Sequence, residues 1–265
     1  MEPTLIAASP ANLVAGIDQS QYTFVEHAIP ARHALPRRQR PGTCRTFVVI
    51  AGEVRLDCLD EHDLTMTRRY GRWTGWHALP ASTYQMINDG DQDAVVLEAG
   101  TVTAEVQDGA GLVLGSGPSQ PCVDVSGYMV DKPWGHEIWY TENLSAPAYA
   151  VKQIHMTAGH QSSLQSHLYK IETNYVVDGA ATVLNGVAAP DDPAAVIDVN
   201  QLPRRVYQPS SAWSSPRNVL HRVIAESDYT SVEVSTPELD DVIRWADDAG
   251  RGHGRVDAEH AGSRR

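Results

Sequence analysis

The sequence predicts an all-β protein made of two related domains, and three observations carry that prediction. Its apolar residues fall in short β-branched or aromatic runs: "RTFVVIAGEVRLD" (45–57), "DAVVLEAGTVTAEV" (93–106), "AYAVKQIHM" (148–156), "TNYVVDGAATVL" (173–184) and "TSVEVS" (230–235). Clusters of Gly, Pro, Asn and Asp separate them at the spacing of a sandwich or barrel. The pattern also occurs twice. Placing Gly52 on Gly179 aligns "TFVVIAG" with "TNYVVDG", and "PASTYQ" (80–85) then parallels "PRNVLH" (216–221).

Taken in order, residues 1–118 form the first domain and residues 119–250 the second. The Gly-, Ser- and Pro-rich run "QDGAGLVLGSGPSQP" (107–121) reads as the linker. One stretch reads as a helix, "STPELDDVIRWADDAG". Thr236 can cap it, Pro237 suits its first position and Gly250 its stop. Leu239, Val242, Ile243 and Ala246 recur at i, i+3, i+4 and i+7, so this short C-terminal helix is expected to pack on a barrel. The tail 251–265, "RGHGRVDAEHAGSRR", is almost devoid of apolar residues and is expected to be disordered.

A length of 265 residues suffices for two small domains or one large one. The formal net charge of −12 argues against non-specific nucleic-acid binding, which needs basic patches. The N-terminus lacks the basic and apolar regions of a signal peptide, and no run approaches the roughly 18 apolar residues of a membrane span. Cys44, Cys58 and Cys122 are odd in number and widely spaced, which fits neither a disulfide framework nor a zinc knuckle. The expectation is a cytoplasmic protein with reduced thiols.

The chemistry concentrates in "SSLQSHLYKIETNYVVDG" (162–179). Strand alternation sends Gln165 and His167 to one face. Glu172 follows across a short turn, and His221 in "NVLHRVI" can complete the set. Two imidazoles, a carboxylate and an amide oxygen suit a borderline divalent ion and leave positions open for substrate. Spacing alone equally allows His167 and Glu172 to be surface residues of an ordinary strand pair.

Gly159, Gln165, His167, Glu172 and Gly179 resemble the first motif of the cupin superfamily, with glutamine in place of its first histidine. The "SLQ-x-H" form is similar to the cupins of type II mannose-6-phosphate isomerases, in which the glutamine is a ligand. "DKPWGHEIWY" (131–140), "PRNVLHR" and "STPELDDVIRWADDAGR" resemble that group in the same order, so the likeness covers 131–251. Where the group usually has Arg-x-Glu-His-Trp, this chain reads "KIETNY", with Lys170 in the place of the arginine.

The resemblance implies a bicupin, two jelly-roll β-barrels with a divalent ion on Gln165, His167, Glu172 and His221. Zn is the first expectation, with Fe, Mn, Co or Ni as alternatives. It implies a metal-dependent isomerase of the aldose–ketose type, acting on a sugar or a sugar-phosphate-like small molecule. An iron-dependent cupin oxygenase and a non-catalytic sugar-binding cupin stay open. Lys170, His160, Lys152 and Arg244 are the candidate catalytic residues, and exposed sheet edges favour a homodimer.

Carried back onto the first domain, the repeat places Arg38, Arg40, Arg45 and Gln85 at the four ligand positions. That barrel is expected to hold no cation. Its arginines are expected to turn outward or lie in a loop, with an enclosed anion as the alternative.

Overall fold

The structure is a computed structural model that describes residues 4–8, 22–39, 42, 44–59, 65–80, 82–101, 121–145, 147–192 and 194–261. Among them the chain divides into two compact units, the first running through Val125 and the second starting at Ser126. The expected boundary at 118/119 lies outside the described residues, as does all of the 107–121 linker but Pro121. The division falls later than expected because Cys122–Asp124 still pairs with Gly75–Ala78 of the first unit.

Both units are built of antiparallel sheets. In the first, one sheet runs Thr4–Ala8, Thr23–Ile29, Ala94–Gly100, Arg45–Ala51, Gly75–Ala78, Cys122–Asp124. Its second sheet centres on Thr83–Asn88, Glu53–Leu59 and Thr65–Gly71. In the second unit one sheet runs Tyr128–Lys132, Gly135–Trp139, Ala150–Met156, Tyr229–Ser235, Glu172–Asp178, Ala212–Ser215. The other runs Arg204–Tyr207, Ala181–Ala188, Val219–Ala225, Leu164–Ser166, Ile243–Ala246. Four consecutive strands of the first sheet recur in the same order in both units.

The aligned glycines are the same turn. Gly52 has φ +69° and Gly179 φ +71°, each joining the strand that leads one sheet to the strand that begins the other. A β-carbon would come within 2.6 Å of the Asp93 carbonyl at Gly52 and within 2.0 Å of the Asp228 carbonyl at Gly179. Only glycine combines that φ with that approach.

Alternation fills each interior. Phe47, Val49, Leu56, Trp76, Tyr84 and Met86 are among the buried core of the first unit, with Phe47 stacked on Trp76 at 4.8 Å. In the second unit Trp134, Met156, Val176, Val183, Trp213 and Tyr229 pack together, and four of them, Trp134, Met156, Trp213 and Tyr229, line the cavity of the site described below.

Three expectations are corrected. Residues 236–250 are not a helix: Ile243–Ala246 is a strand paired with Leu164–Ser166, and the rest is turn and extended chain. The amphipathic spacing is there, but tertiary hydrogen bonds hold the segment open. Ile171 N–H donates to Thr236 Oγ1, Thr236 N–H donates back to Ile171 O, and Gly254 N–H donates to Val242 O. The helix lies instead at Asp257–Ala261, in the tail that composition marked as disordered. Arg251–His260 is tied down by charge rather than by apolar burial, as the contacts below show. Finally, Cys58 and Cys122 are joined by a disulfide within the first unit, Cα atoms 6.8 Å apart, while Cys44 is not disulfide-bonded. That pairing removes the cysteine argument for a reducing compartment. No helix among the described residues is long and apolar enough to cross a membrane.

Candidate metal centre

Gln165 and His221 face each other across paired strands, and Glu172 begins the neighbouring strand of the facing sheet. His167 follows the short strand Leu164–Ser166. Donor atoms of His167, Glu172 and His221 lie within 4.8 Å of one another, and all three residues are buried. This is the one group of three or more such side chains among the described residues.

The tautomers follow from the partners. His167 Nδ1 contacts the Asp241 carbonyl, which can only accept, so Nδ1 carries the proton. His221 Nδ1 lies 3.2 Å from the Val219 carbonyl and 2.8 Å from Ser215 Oγ, which fixes it the same way. Each Nε2 therefore turns a lone pair inward. His167 Nε2 stands 3.4 Å from Glu172 Oε2 without making a hydrogen bond, and His221 Nε2 stands 3.1 Å from Glu172 Oε1. Burial, with Lys170 nearby, pushes the His167 pKa down and keeps the ring neutral. Burial pushes the Glu172 carboxyl up, but the Lys170 ammonium 2.5 Å away outweighs it and holds it well below the carboxylate range.

Three electron-rich atoms thus converge with no proton between them. A cation is what such an arrangement fits, and imidazole plus carboxylate suits a borderline divalent ion. Gln165 is at the same place: its Nε2 donates to His221 Nε2 at 3.1 Å and its Oε1 accepts from Ser163 Oγ at 2.9 Å. A half-turn of the amide exchanges those two atoms and presents the oxygen.

Beside this centre lies a cavity of about 100 Å³ lined by Gln165, Glu172 and His221 together with Lys152, Lys170, Glu233, Trp139 and Arg244. Lys170 is clamped, donating to Glu172 at 2.5 Å and Glu233 at 2.9 Å. Burial lowers its pKa, yet the two carboxylates raise it far more, so it stays protonated. Lys152 is buried with its Nζ 3.7 Å from Glu233 and 4.6 Å from the Trp139 ring centre. It points into the cavity, as its parity with Ile154 and Met156 requires.

Arg244 also reaches the cavity, from a strand rather than the expected helix, and its Nη1 donates to the carbonyls of Gly252 and, at 2.8 Å, Gly254. His160 does not. It is exposed on a turn, Nδ1 3.3 Å from Ala158 O, away from the cavity. The structure thus does not bring His160 together with the other candidate residues.

Sequence reasoning missed three contributors. Asp241 accepts N–H bonds from Leu168, Tyr169 and Lys170 at 3.1, 2.6 and 2.9 Å while its carbonyl orients His167. Glu233 lies in a run legible only as a strand. The tail closes the cavity: Glu259 accepts from Lys132 at 2.8 Å and from Arg251 at 3.2 Å, and His260 Nδ1 lies 3.2 Å from Tyr128 Oη. No spacing rule could find these, because each acts through a partner far along the chain.

The first unit differs at the same positions. Register places Arg38 opposite Tyr84, as Gln165 is opposite His221. The counterpart of His221 is therefore Tyr84 and not Gln85, which alternates with the buried Tyr84 and Met86 and donates its amide to Leu35 O. Arg40 lies outside the described residues. Arg45 does not turn outward: it is buried, with Nη1 3.2 Å from Glu98 Oε1. Arg38 approaches Glu98 at 3.7 Å, and His27 Nε2 lies 2.6 Å from it. The barrel supplies an acidic partner in place of an anion.

No protein-family model matches this sequence, and no curated protein matches it. Solved structures do. Oxalate decarboxylase from Lactobacillus farciminis in complex with formate superposes with TM-score 0.58 at 12% identity, covering 84% of this chain and 79% of that one. Oxalate decarboxylase from Bacillus subtilis, studied for its Mn(II) centres, gives 0.61 at 11%, covering 84% and 71%. Procruciferin, an 11S globulin from Brassica napus, gives 0.60 at 13%, covering 82% and 76%. All three are two-barrel proteins. The fold is a bicupin. At these identities the likeness speaks for the fold alone, and the bicupin scaffold hosts both metal enzymes and a storage globulin.

Proposed function

We propose that the C-terminal barrel is a metal-dependent enzyme centre that isomerises a small hydroxy-carbonyl substrate, sugar-like or carrying one anionic group. The observation that supports it most is the pair of inward Nε2 lone pairs facing the Glu172 carboxylate beside a cavity with a buried ammonium. Gln165, His167, Glu172 and His221 would hold the ion. When bound, it supplies a Lewis acid that polarises a carbonyl and its neighbouring hydroxyl.

The chain's own residues divide the remaining work. Lys170 stays protonated and fixes both Glu172 and Glu233. Lys152, against Trp139 and close to Glu233, would act as a neutral amine, taking the proton from one carbon and returning it to its neighbour. Arg244 and the Lys132–Glu259 pair shape the mouth and exclude water.

A second reading, Mn-dependent chemistry on a small carboxylate, is favoured by the size of the cavity, about 100 Å³, which suits a ligand of few atoms. One experiment separates them. Metal content is measured first, then isomer interconversion of sugars and sugar phosphates, and release of carbon dioxide from small dicarboxylates, are assayed with each metal. Interconversion that His167→Ala and Lys152→Met both abolish supports the isomerase. Release of carbon dioxide without interconversion overturns it in favour of the second reading, and a metal-free, inactive protein overturns both.

A further inference from the structure

The second unit carries another pair of close imidazoles, on the opposite face of its sheet from the cavity. Asp131, His136, His155 and Thr230 form one cross-strand row: Asp131 pairs with His136, His136 with His155, and His155 with Thr230. Glu137 and Ile154, the next residues along, line the cavity, so alternation sends this row outward. Both histidines are half-buried and Asp131 is exposed.

Their geometry matches that of the inner centre. The His136 and His155 ring centres are 4.9 Å apart with planes tilted by 30°, against 5.0 Å and 44° for His167 and His221. Two imidazoles bound to one tetrahedral ion at about 2.0–2.1 Å have ring centres about 5 Å apart. His155 is oriented by its neighbour: Nδ1 lies 3.1 Å from Thr230 Oγ1, leaving Nε2 as the nitrogen available to an ion. Such a partner on the non-ligating nitrogen is the usual support of a metal-bound histidine. Burial and the adjacent His155 lower the His136 pKa, which favours the neutral, ligating ring, and the Asp131 charge acts on it in the opposite sense.

We propose that His136 and His155 bind a borderline divalent ion such as Zn²⁺ on the outer face of the C-terminal barrel, with water completing its coordination. Such an ion would clamp the edge hairpin Tyr128–Lys132 and Gly135–Trp139 to Ala150–Met156. That hairpin carries Lys132, Glu137 and Trp139 into the cavity wall, so the outer ion would stiffen the wall without touching substrate.

The test is equilibrium dialysis of the full chain against micromolar Zn²⁺, with bound metal counted by elemental analysis and folding checked by thermal melting. The expected result is two bound ions in the wild type, one lost on His167→Ala and the other on either His136→Gln or His155→Gln. Each outer substitution should weaken that ion more than the roughly 10–100-fold cost of losing a supporting hydrogen-bond partner. If the zinc that survives His167→Ala is unaffected by His136→Gln and His155→Gln, the outer site is refuted while the inner centre stands. A single ion that depends on His136 but not on His167 supports the outer site and refutes the inner one. Should His167→Ala fail to fold, the wild type against His136→Gln decides alone: two ions falling to one supports the site, and an unchanged count refutes it.

Discussion

Arg45 and Glu172 stand at the same place in the two barrels, each opening the strand that ends at the Gly52 or Gly179 turn, and in each the next strand over carries a glutamate two residues along the register, Glu98 opposite Phe47 and Glu233 opposite Asn174. In the first barrel that glutamate, Glu98, gathers Arg45, Arg38 and His27 around itself. In the second the glutamate is Glu233, which shares Lys170 with Glu172 and approaches Lys152, while Glu172 also faces the two inward imidazole nitrogens. One reversal of charge thus separates a barrel whose buried arginine meets a carboxylate of its own from one whose buried carboxylate faces two imidazole nitrogens. Buried polar groups must be satisfied in either case.

The largest effects should come from the open centre. Glu172→Gln removes the charge that the ion would balance while keeping the shape. Metal retained after dialysis should fall at least about 100-fold, more than the cost of losing a supporting partner, with the first unit's unfolding unchanged. Retention at the wild-type level would mean that the two barrels do not differ in cation binding at this position.

Arg45→Ala tests the first barrel's cluster. It strands Glu98, whose side chain is 2% exposed, with His27 and the more distant Arg38. Breaking a buried pair from one side costs about 3–5 kcal/mol, whereas replacing both partners by apolar groups of like volume is often neutral. Denaturant melts should therefore show a large loss for Arg45→Ala and recovery for Arg45→Met with Glu98→Leu. A loss under about 1 kcal/mol for the single change would show that water, not the pair, satisfies Glu98.

Gln165, His167, Glu172 and His221 were legible because a strand pair and a tight turn impose fixed intervals on residues that meet. The repeat was legible for the same reason, through Gly52 and Gly179. The segment 236–250 was not, since an i, i+3, i+4, i+7 stripe is a local property and Asp241 is bound to residues some 70 positions earlier. The tail was misread because composition weighs apolar content, while Arg251 and Glu259 anchor it with ion pairs. The Cys58–Cys122 pairing was missed because a separation of 64 residues has no sequence signature.

Asp241 sharpens the comparison further, as nothing among the described residues of the first unit plays its part. Asp241→Ala should cost about 1–3 kcal/mol through three unanswered N–H groups, and about 10–100-fold in metal affinity through His167. Burial raises its carboxyl, but the N–H groups of Lys170, Tyr169 and Leu168 prevail and hold the pKa below the ordinary value. A depressed carboxylate stabilises the fold above its unfolded pKa of about 3.9 and loses that stabilisation as pH falls through the folded value. Glu137, held at about 2 against burial by Lys152, Lys132 and Trp139, adds to the same acid-side loss. The second unit should weaken below about pH 4, and Asp241→Ala should flatten that slope in pH-dependent melts. An unchanged slope would place the titrating groups elsewhere.

The two turns should respond alike but unequally. Gly52→Ala and Gly179→Ala each force a left-handed residue, at about 1–2 kcal/mol. Gly179→Ala should cost the more, because its β-carbon would come 2.0 Å from Asp228 O rather than 2.6 Å from Asp93 O. Melting each variant tests this, and a reversed order would mean the two turns are not equivalent.

The smallest effect belongs to Gln85, and it decides the register of the repeat. The two halves differ by one residue between Pro80 and Tyr84 as against Pro216 and His221, and a slip of one residue turns every side chain to the other face. Tyr84 lies 5.3 Å from Phe47 in the core, so Tyr84→Ala should cost about 3–5 kcal/mol, as truncation of a buried aromatic does. Gln85 contributes one hydrogen bond to Leu35 O, so Gln85→Ala should cost only about 0.5–1.5 kcal/mol. The same logic extends to gain of function. An imidazole installed by Tyr84→His would point where His221 points, whereas one installed by Gln85→His would point away from the barrel interior. Paired denaturant melts of the two alanine variants suffice as the check. If Gln85→Ala proved the more damaging, the ungapped alignment through Pro80 and Pro216 would be the right one, and Tyr84 would not be the residue that stands where the second barrel keeps its histidine.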